Sequence, residues 1–421
     1  MREMKDSGTL AFGTIPSTWK TTKFKNLFFL RSTKNTGNRE LLSVYLDKGV
    51  ISYSDSDGMQ VHKPSESLDA YQNVEIGDFV LNNQQAWRGS VGVSKYRGII
   101  SPAYFVYSMT DECYAPYMNY LLRDSSMVHQ YELASRGVGT IQRNLFAPWL
   151  KNRIVLIPPI CEQKVIANFL DSQCSEIDAI SADIQKEIET LEQYKRSVIT
   201  EAVTKGLNPD VEMKNSGLRW CEKIPATWEV IPAKYLFHNS DTRKFPNDEL
   251  LTASQKYGLI SQTDYMKREN AKIVLANAGI ENWKHVEPND FVISLRSFQG
   301  GLEMSEISGC VTWHYVVLRA AQKVFQRYYK WLFKSSKYIN ALQATCNFIR
   351  DGQDLRFSNF AKVPLFIPPY KEQCEIAAYL DEKTTAIDAV MQSKKKQLEV
   401  LDSYKKSLIY EYVTGKKEVV Q

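Results

Sequence analysis

Two long stretches of the chain place apolar residues in steps of three and four. In the first, Ile177, Ile180, Ile184, Ile188, Leu191, Tyr194 and Val198 follow that spacing. This is the narrow apolar stripe of a helix of coiled-coil type. From Cys161 to Thr204 there is neither proline nor glycine. Pro158-Pro159 suits the start, because a first-turn N–H has no helical partner to lose, and Glu162 suits the positive end of the helix dipole. Gly206 and Pro209 mark the stop. The second stretch repeats the stripe at Ile387, Val390, Leu398, Leu401, Tyr404 and Leu408, with Lys394 as a polar intrusion. Each helix is expected to run for about 44 residues, or roughly 65 Å at 1.5 Å per residue. Two such seams can bury each other. An internal twofold would run the helices antiparallel, with a globular half near each end.

The segments before these helices alternate on a shorter period. Leu41 to Ile51, Asp78 to Leu81 and Ile99 to Tyr107 are β-branched and aromatic runs bounded by Gly, Asn and Asp, which predicts strands. Phe291 to Leu295 and Gly309 to Leu318 echo them, while Tyr114 to Leu122 and Val324 to Leu342 read as helical. The fold class expected is α+β, with two mixed α/β globular halves and two long helices. The boundaries fall at 1–156 and 207–366 for the globular halves, and at 157–206 and 367–417 for the helices.

The chain is one unit written twice. Met4-Lys5-Asp6-Ser7-Gly8 returns as Met213-Lys214-Asn215-Ser216-Gly217, and Ile15-Pro16-Ser17-Thr18-Trp19 as Ile224-Pro225-Ala226-Thr227-Trp228. Val74 to Val80 matches Val286 to Val292. Residues 157–204 align without gaps to 367–414, with 22 identities over those 48 positions. The middles, 29–73 and 238–285, read as unlike each other. Two copies then share a frame and carry different contents.

Composition narrows the class. At 421 residues, about two to three domains are expected. A hydrophobic share of 43% with 12% aromatics describes a folded protein. No apolar run nears the roughly 18 residues of a membrane helix, and Met1 to Gly8 lacks the apolar core of a secretory signal, so a cytoplasmic protein is expected. Seven scattered cysteines without a Cys-x-x-Cys pair read as reduced thiols, mostly buried. Five histidines form no metal-spaced cluster. The net charge of +5 suits nucleic acid without requiring it.

Catalytic motifs fail on inspection. Pro368-Pro369-Tyr370 lacks the amide or carboxylate that an amino-methyltransferase loop needs before its prolines, since Ile367 stands there; it reads as a strand-to-helix corner. No glycine-rich loop follows a strand to cradle a cofactor, and no cofactor is expected. Asp210 and Glu212-Met213-Lys214 have the letters of a nuclease site but crowd within five residues, too close to fold around one metal ion.

Two polar stretches carry binding chemistry instead. Asn82, Asn83, Gln84, Gln85, Trp87 and Arg88 follow a predicted strand, and Arg296, Ser297 and Gln299 occupy the same place in the second copy. Amides pair bidentately with adenine and arginine with guanine, and an aromatic ring packs on sugar or base. Arg136, Thr140, Gln142 and Arg143, with counterparts Arg350, Gln353 and Arg356, form a second polar stretch before each Ile-Pro-Pro, and its arginines suit phosphate contact. Lys394-Lys395-Lys396 reads as a solvated helix face.

Taken in order, the repeated Ile-Pro-Pro-x-x-Glu-Gln entering a long helix, then Val203-Thr204-Lys205-Gly206-Leu207-Asn208-Pro209-Asp210, then Ile224-Pro225-x-x-Trp228, resembles the specificity subunits of type I restriction–modification systems. The resemblance spans essentially the whole chain. It implies a non-catalytic subunit whose globular halves are target recognition domains, each reading one half of a bipartite site on double-stranded DNA. It also implies a helical spacer that docks two methyltransferase subunits, with motor–nuclease subunits joining the full complex. Two other functions are compatible with the residues: a coiled-coil scaffold that binds only proteins, and a self-contained DNA methyltransferase or nuclease.

Overall fold

The computed structural model describes residues 2–419 other than 36, 38, 57–63, 66, 139–141, 271–278, 295–300 and 346–354, with the backbone alone at 138 and 142. Among the described residues, no helix is long and apolar enough to cross a membrane.

The chain divides into two compact units, residues 1–184 with 396–421, and residues 185–395. Both unit boundaries fall inside the long helices, which run from Ile160 to Lys205 (the central helix) and from Tyr370 to Val413 (the terminal helix).

The first unit is built on a four-stranded antiparallel sheet in the order Phe28–Arg31, Tyr104–Met109, Phe79–Asn82, Val91–Val93. Side chains alternate across it, as the strand period of two requires. Phe79 and Leu81 enter the main core, while Val80 enters a smaller one with Leu42, Val44, Val50, Val74, Ile100 and Val106. Both faces are thereby covered. The hairpin Leu42–Tyr45/Gly49–Ser52 supplies the smaller core, and the helices Ala115–Arg123 and Ser125–Leu133 bring Tyr117, Met118, Leu121 and Tyr131 to the larger. The run read as one strand from Leu41 to Ile51 is this hairpin, and the run from Ile99 to Tyr107 is two strands interrupted around Pro102.

The second unit repeats the plan. Its sheet runs Phe237–Ser240, Val316–Ala320, Phe291–Ile293, Glu303–Met304. Phe291 and Ile293 face the main core and Val292 the smaller one. The helical stretch from Val324 to Leu342 is two helices, Gln326–Lys334 and Ser336–Gln343, parted at Ser335.

The middles are less unlike than the sequence reading held. Leu251–Ser254/Gly258–Ser261 pairs in the register of the first hairpin, Leu251 with Ser261 as Leu42 with Ser52. Glu40-Leu41-Leu42 and Gly49-Val50-Ile51-Ser52 in fact return as Glu249-Leu250-Leu251 and Gly258-Leu259-Ile260-Ser261. Gly98 and Gly309 show why this corner is fixed: a Cβ at either position would collide with the carbonyl of Glu40 or Glu249. The contents diverge around the hairpin, where the second unit carries a helix, Gln262–Glu269, and the first a short turn of 3-10 helix, Ser54–Ser56.

Each main core is completed by the far end of the other repeat's helix. Leu408 and Val413 enter the first core beside Ile166, Ala167 and Leu170. Ile199, Ala202 and Val203 enter the second beside Ile376, Ala377 and Leu380. Two buried tyrosines fasten these ends, Tyr117 O–H donating to the Val413 carbonyl and Tyr328 O–H to the Val203 carbonyl, both at 2.9 Å.

Within each unit the helix segments run antiparallel. In the first, Phe169 packs on Tyr412 (ring centroids 4.5 Å apart) and Asp178 pairs with Lys405. In the second, Glu187 pairs with Lys394 and Lys195 with Asp388. A line of covered positions along the central helix, Leu170, Cys174, Ile177, Ser181, Ile184, Ile188, Leu191, Lys195, Val198 and Ala202, advances in steps of four and three, with Ile199 also buried where the helix enters the second core. The positions 210 residues on, Leu380 to Tyr412, are covered in the same way along the terminal helix. The predicted seam is corrected at four places: Ile180, Tyr194, Val390 and Tyr404 are exposed. Ser181, Lys195, Met391 and Lys405 hold the seam positions beside them, because a heptad counts residues by place and tolerates a polar one whose head reaches water or a partner.

Candidate nucleic-acid interface

The repeated phrase Ile-Pro-Pro-x-x-Glu-Gln is a structural clamp, made the same way twice. Gln163 is fully buried; its Nε2 donates to the carbonyls of Pro158 (2.9 Å) and Glu112 (2.8 Å), and its Oε1 accepts from Tyr114 N–H (2.8 Å). Gln373 donates to Pro368 O (2.8 Å) and accepts from Phe325 N–H (2.8 Å). Glu162 accepts from the indole of Trp19 and Glu372 from that of Trp228, each at 2.9 Å. These bonds fasten each helix start to the Ile-Pro-x-x-Trp segment of its own repeat.

On this frame the first unit presents the loop 82–89. Asn82 Oδ1 accepts from Gln84 N–H (3.0 Å), turning the chain out of its strand, and the indole of Trp87 donates to Gln84 O (3.0 Å). The 3-10 turn Ala86–Arg88 ends at Gly89, whose φ of 102° lies in the left-handed region that favours glycine. Leu145 N–H donates to Asn83 O (3.0 Å) and ties in the hairpin Ser135–Val138/Gln142–Leu145.

That tie brings the two predicted stretches together. The guanidinium of Arg88 lies 4.6 Å and that of Arg143 5.1 Å from the Trp87 ring centroid. Arg143 also donates to Glu132 (2.9 Å), which offsets part of its charge. Arg136 sits over Phe146 at 3.3 Å and within 4.6 Å of Trp149. Arg88 and Arg136 are exposed and Arg143 is half-buried. Cations held on aromatic faces keep their charge and lose freedom beforehand, which suits a surface that meets phosphates or base edges. Sequence reading missed Phe146, Trp149 and Glu132. The signal for the two aromatics was their spacing just after the polar stretch.

The other predicted residues are placed only in part. Gln142 lies in the hairpin strand, and Thr140, Arg296, Ser297, Gln299, Arg350 and Gln353 lie outside the described residues. Arg356 is exposed before the short helix Phe357–Phe360, where its backbone N–H donates to Asn359 Oδ1 (3.1 Å). Lys394, read as solvated, is ion-paired to Glu187. Among the described residues no cluster of three or more His, Cys, Asp or Glu is arranged to hold a metal ion. Cys174, Cys221 and Cys310 are buried, Cys113 and Cys374 half-buried and Cys161 exposed, all as free thiols.

The sheet is thus made twice, each copy clamped to a long helix, and the first bears an arginine–aromatic surface. Residues 225–400 match the family described as "Type I restriction modification DNA specificity domain". Residues 225–400 thus carry that domain, and the chain as a whole is similar to type I restriction enzyme specificity subunits. Over 437 aligned residues it is 22% identical to the putative type I restriction enzyme MjaX specificity subunit of Methanocaldococcus jannaschii, covering 96% of this chain and 95% of that one. It is 23% identical to the MjaVIII specificity subunit of the same organism, over 71% of this chain and 69% of the relative. Its fold matches a chain from a solved type I R-M system with a TM-score of 0.68, at 13% identity, over 96% of this chain and 99% of the other. The HsdS subunit from Thermoanaerobacter tengcongensis matches with a TM-score of 0.52, also at 13% identity, over 96% and 98%.

Proposed function

We propose that this chain is a type I specificity subunit that reads a bipartite site on double-stranded DNA, one half-site per globular half (1–156 and 207–366), and supplies no catalytic group itself. Arg136, Arg143, Arg88, Trp87 and the amides Asn82 to Gln85 make the contacts of the first half. Arg296, Ser297, Gln299, Arg350, Gln353 and Arg356 make those of the second. The helices at 157–206 and 367–417 act as a stiff spacer, so the gap between half-sites follows from their length. They dock two methyltransferase subunits, and motor–nuclease subunits join to complete the complex, in the cytoplasm where the chromosome is. The observation that carries the DNA reading is the joining of two distant polar stretches into one arginine–aromatic surface.

Docking the same partner twice is supported by the apolar residues left outside the seam. Ile180 and Tyr404 are exposed in the first unit, Val390 and Tyr194 in the second, and they are equivalent positions of the two repeats. The test is co-expression with a cognate methyltransferase subunit and mapping of methylated adenines. The chain with its partner is expected to direct methylation to a split sequence, and the purified chain with S-adenosylmethionine to give none. Methylation by the chain alone overturns the non-catalytic part. Failure to bind any duplex, at any salt and with the partner present, overturns the DNA reading.

A further inference from the structure

A cleft of about 650 Å³ opens in the first unit between the hairpin Leu42–Tyr45/Gly49–Ser52, the start of the loop 82–89, and the turn that precedes Tyr104. That volume lies in the roughly 300–1,000 Å³ range of small-ligand sites. Four tyrosines, Tyr45, Tyr53, Tyr71 and Tyr104, and three amides, Asn82, Gln84 and Gln85, are among its walls, and none of the described lining residues is charged. Arg88 and Arg143, on the same loop and the adjoining hairpin, are not part of it.

Its polar atoms are only partly used. Asn82 Nδ2 donates weakly to the Tyr104 hydroxyl at 3.4 Å. The Tyr45 hydroxyl is shut off from solvent and has no hydrogen-bond partner among the described residues. A buried unpaired hydroxyl costs free energy, which a ligand recovers once the ring turns that hydroxyl toward the cleft. The described lining, being uncharged, gives a phosphate no counter-ion. Aromatic walls suit a planar ring, and side-chain amides suit a ring edge with alternating donors and acceptors.

We propose that this cleft receives one neutral nucleobase, turned out of the duplex at the half-site that the first globular half reads. The proposal rests on that half reading DNA. Loop 82–89 then works on two sides, with its amides in the cleft and its tryptophan and arginine on the arginine–aromatic surface outside. A turned-out base lets the subunit inspect an edge that is hidden in the stacked duplex. The described walls differ in the second unit: Ser254 stands where Tyr45 does in the hairpin register, and His314, stacked on Trp313 at 3.4 Å, stands where Ala103 does.

The test uses the full chain with its methyltransferase partner and a duplex bearing the methylation-mapped site. 2-Aminopurine is placed at each position of the first half-site in turn, and free 2-aminopurine deoxyriboside is titrated in a parallel arm. A severalfold fluorescence rise at one duplex position, reduced in Tyr45→Phe and Tyr53→Leu while the duplex stays bound, is the expected result. Quenching of the free nucleoside by the wild type alone, with no duplex position unstacked, supports a base site filled from solution. A tightly bound duplex with neither signal overturns the proposal and leaves the DNA reading standing. No duplex binding at all overturns both.

Discussion

Lys405 Nζ lies 2.6 and 2.7 Å from the carboxylate oxygens of Asp178, joining the terminal helix to the central one within the first unit. The second unit makes the same bond with the roles exchanged, Lys195 to Asp388 at 2.7 and 2.6 Å. Each repeat thus gives its aspartate to the other repeat's lysine. The lysines are about three-quarters covered and the aspartates mostly exposed, so solvent screens both pairs. Lys405→Ala and Asp178→Ala are each expected to cost little, and a double-mutant cycle on thermal unfolding should give a coupling of about 0.2–1 kcal/mol. A coupling indistinguishable from zero would make these pairs markers of register with no share in stability.

The buried amide of Gln163 is costlier to remove. Gln163→Ala leaves Tyr114 N–H and the carbonyls of Glu112 and Pro158 without their partner, at about 1–3 kcal/mol for each that water cannot reach. Hydrogen exchange should quicken around residues 112–117 and stay slow at the matching corner around Phe325. Equal loosening of both corners would show that the clamps are not independent.

Burial raises the pKa of Asp124, while hydrogen bonds from Ser126 pull it back down. A carboxyl with a raised folded pKa stabilises the fold most below its unfolded value and loses that contribution as pH rises through the folded one. Asp124 also caps the helix Ser125–Leu133 through Ser126 N–H at 2.9 Å, a role that asparagine can fill without charge. Asp124→Asn is therefore expected to equal or exceed the wild type in stability at neutral pH and to flatten its decline from acid to neutral. Asp124→Ala should lose about 1 kcal/mol. Melting curves across the carboxylate range check both, and a less stable Asn variant would contradict the sign.

Arg136→Ala and Arg143→Ala should each weaken duplex binding and make the slope of log affinity against log salt shallower, by about one for each phosphate that is no longer neutralised. Glu132→Gln should do the reverse for affinity, because it releases Arg143 from its carboxylate partner. Binding titrations at several salt concentrations separate these effects from folding. An unchanged slope in both arginine variants would show that neither guanidinium meets a phosphate.

The frame was legible in the sequence because it rests on long or repeated signals. The helices announced themselves through an uninterrupted three–four period, and the corner phrases through near-identity between copies. Ile180 and Tyr404 were placed in the seam because apolar identity was read where heptad position decides. Lys195 and Lys405 show that a covered position can carry a charge if a carboxylate waits beside it. The shared hairpin in the middles went unnoticed because only short phrases such as Glu-Leu-Leu survive there, and a strand pair needs little more than one buried leucine and a glycine at the crossing. Of the binding surface, the two polar stretches were found but not their meeting. The bond from Leu145 to Asn83 spans 62 residues, and no local pattern encodes it.

The central claim is that each globular half reads its own half-site on a shared frame. Its most direct test replaces residues 29–150 with the matching stretch of a relative of different specificity, then maps methylated adenines by single-molecule sequencing. One half of the split sequence should change while the other half and the gap stay the same. Change in both halves, or in neither, would contradict it.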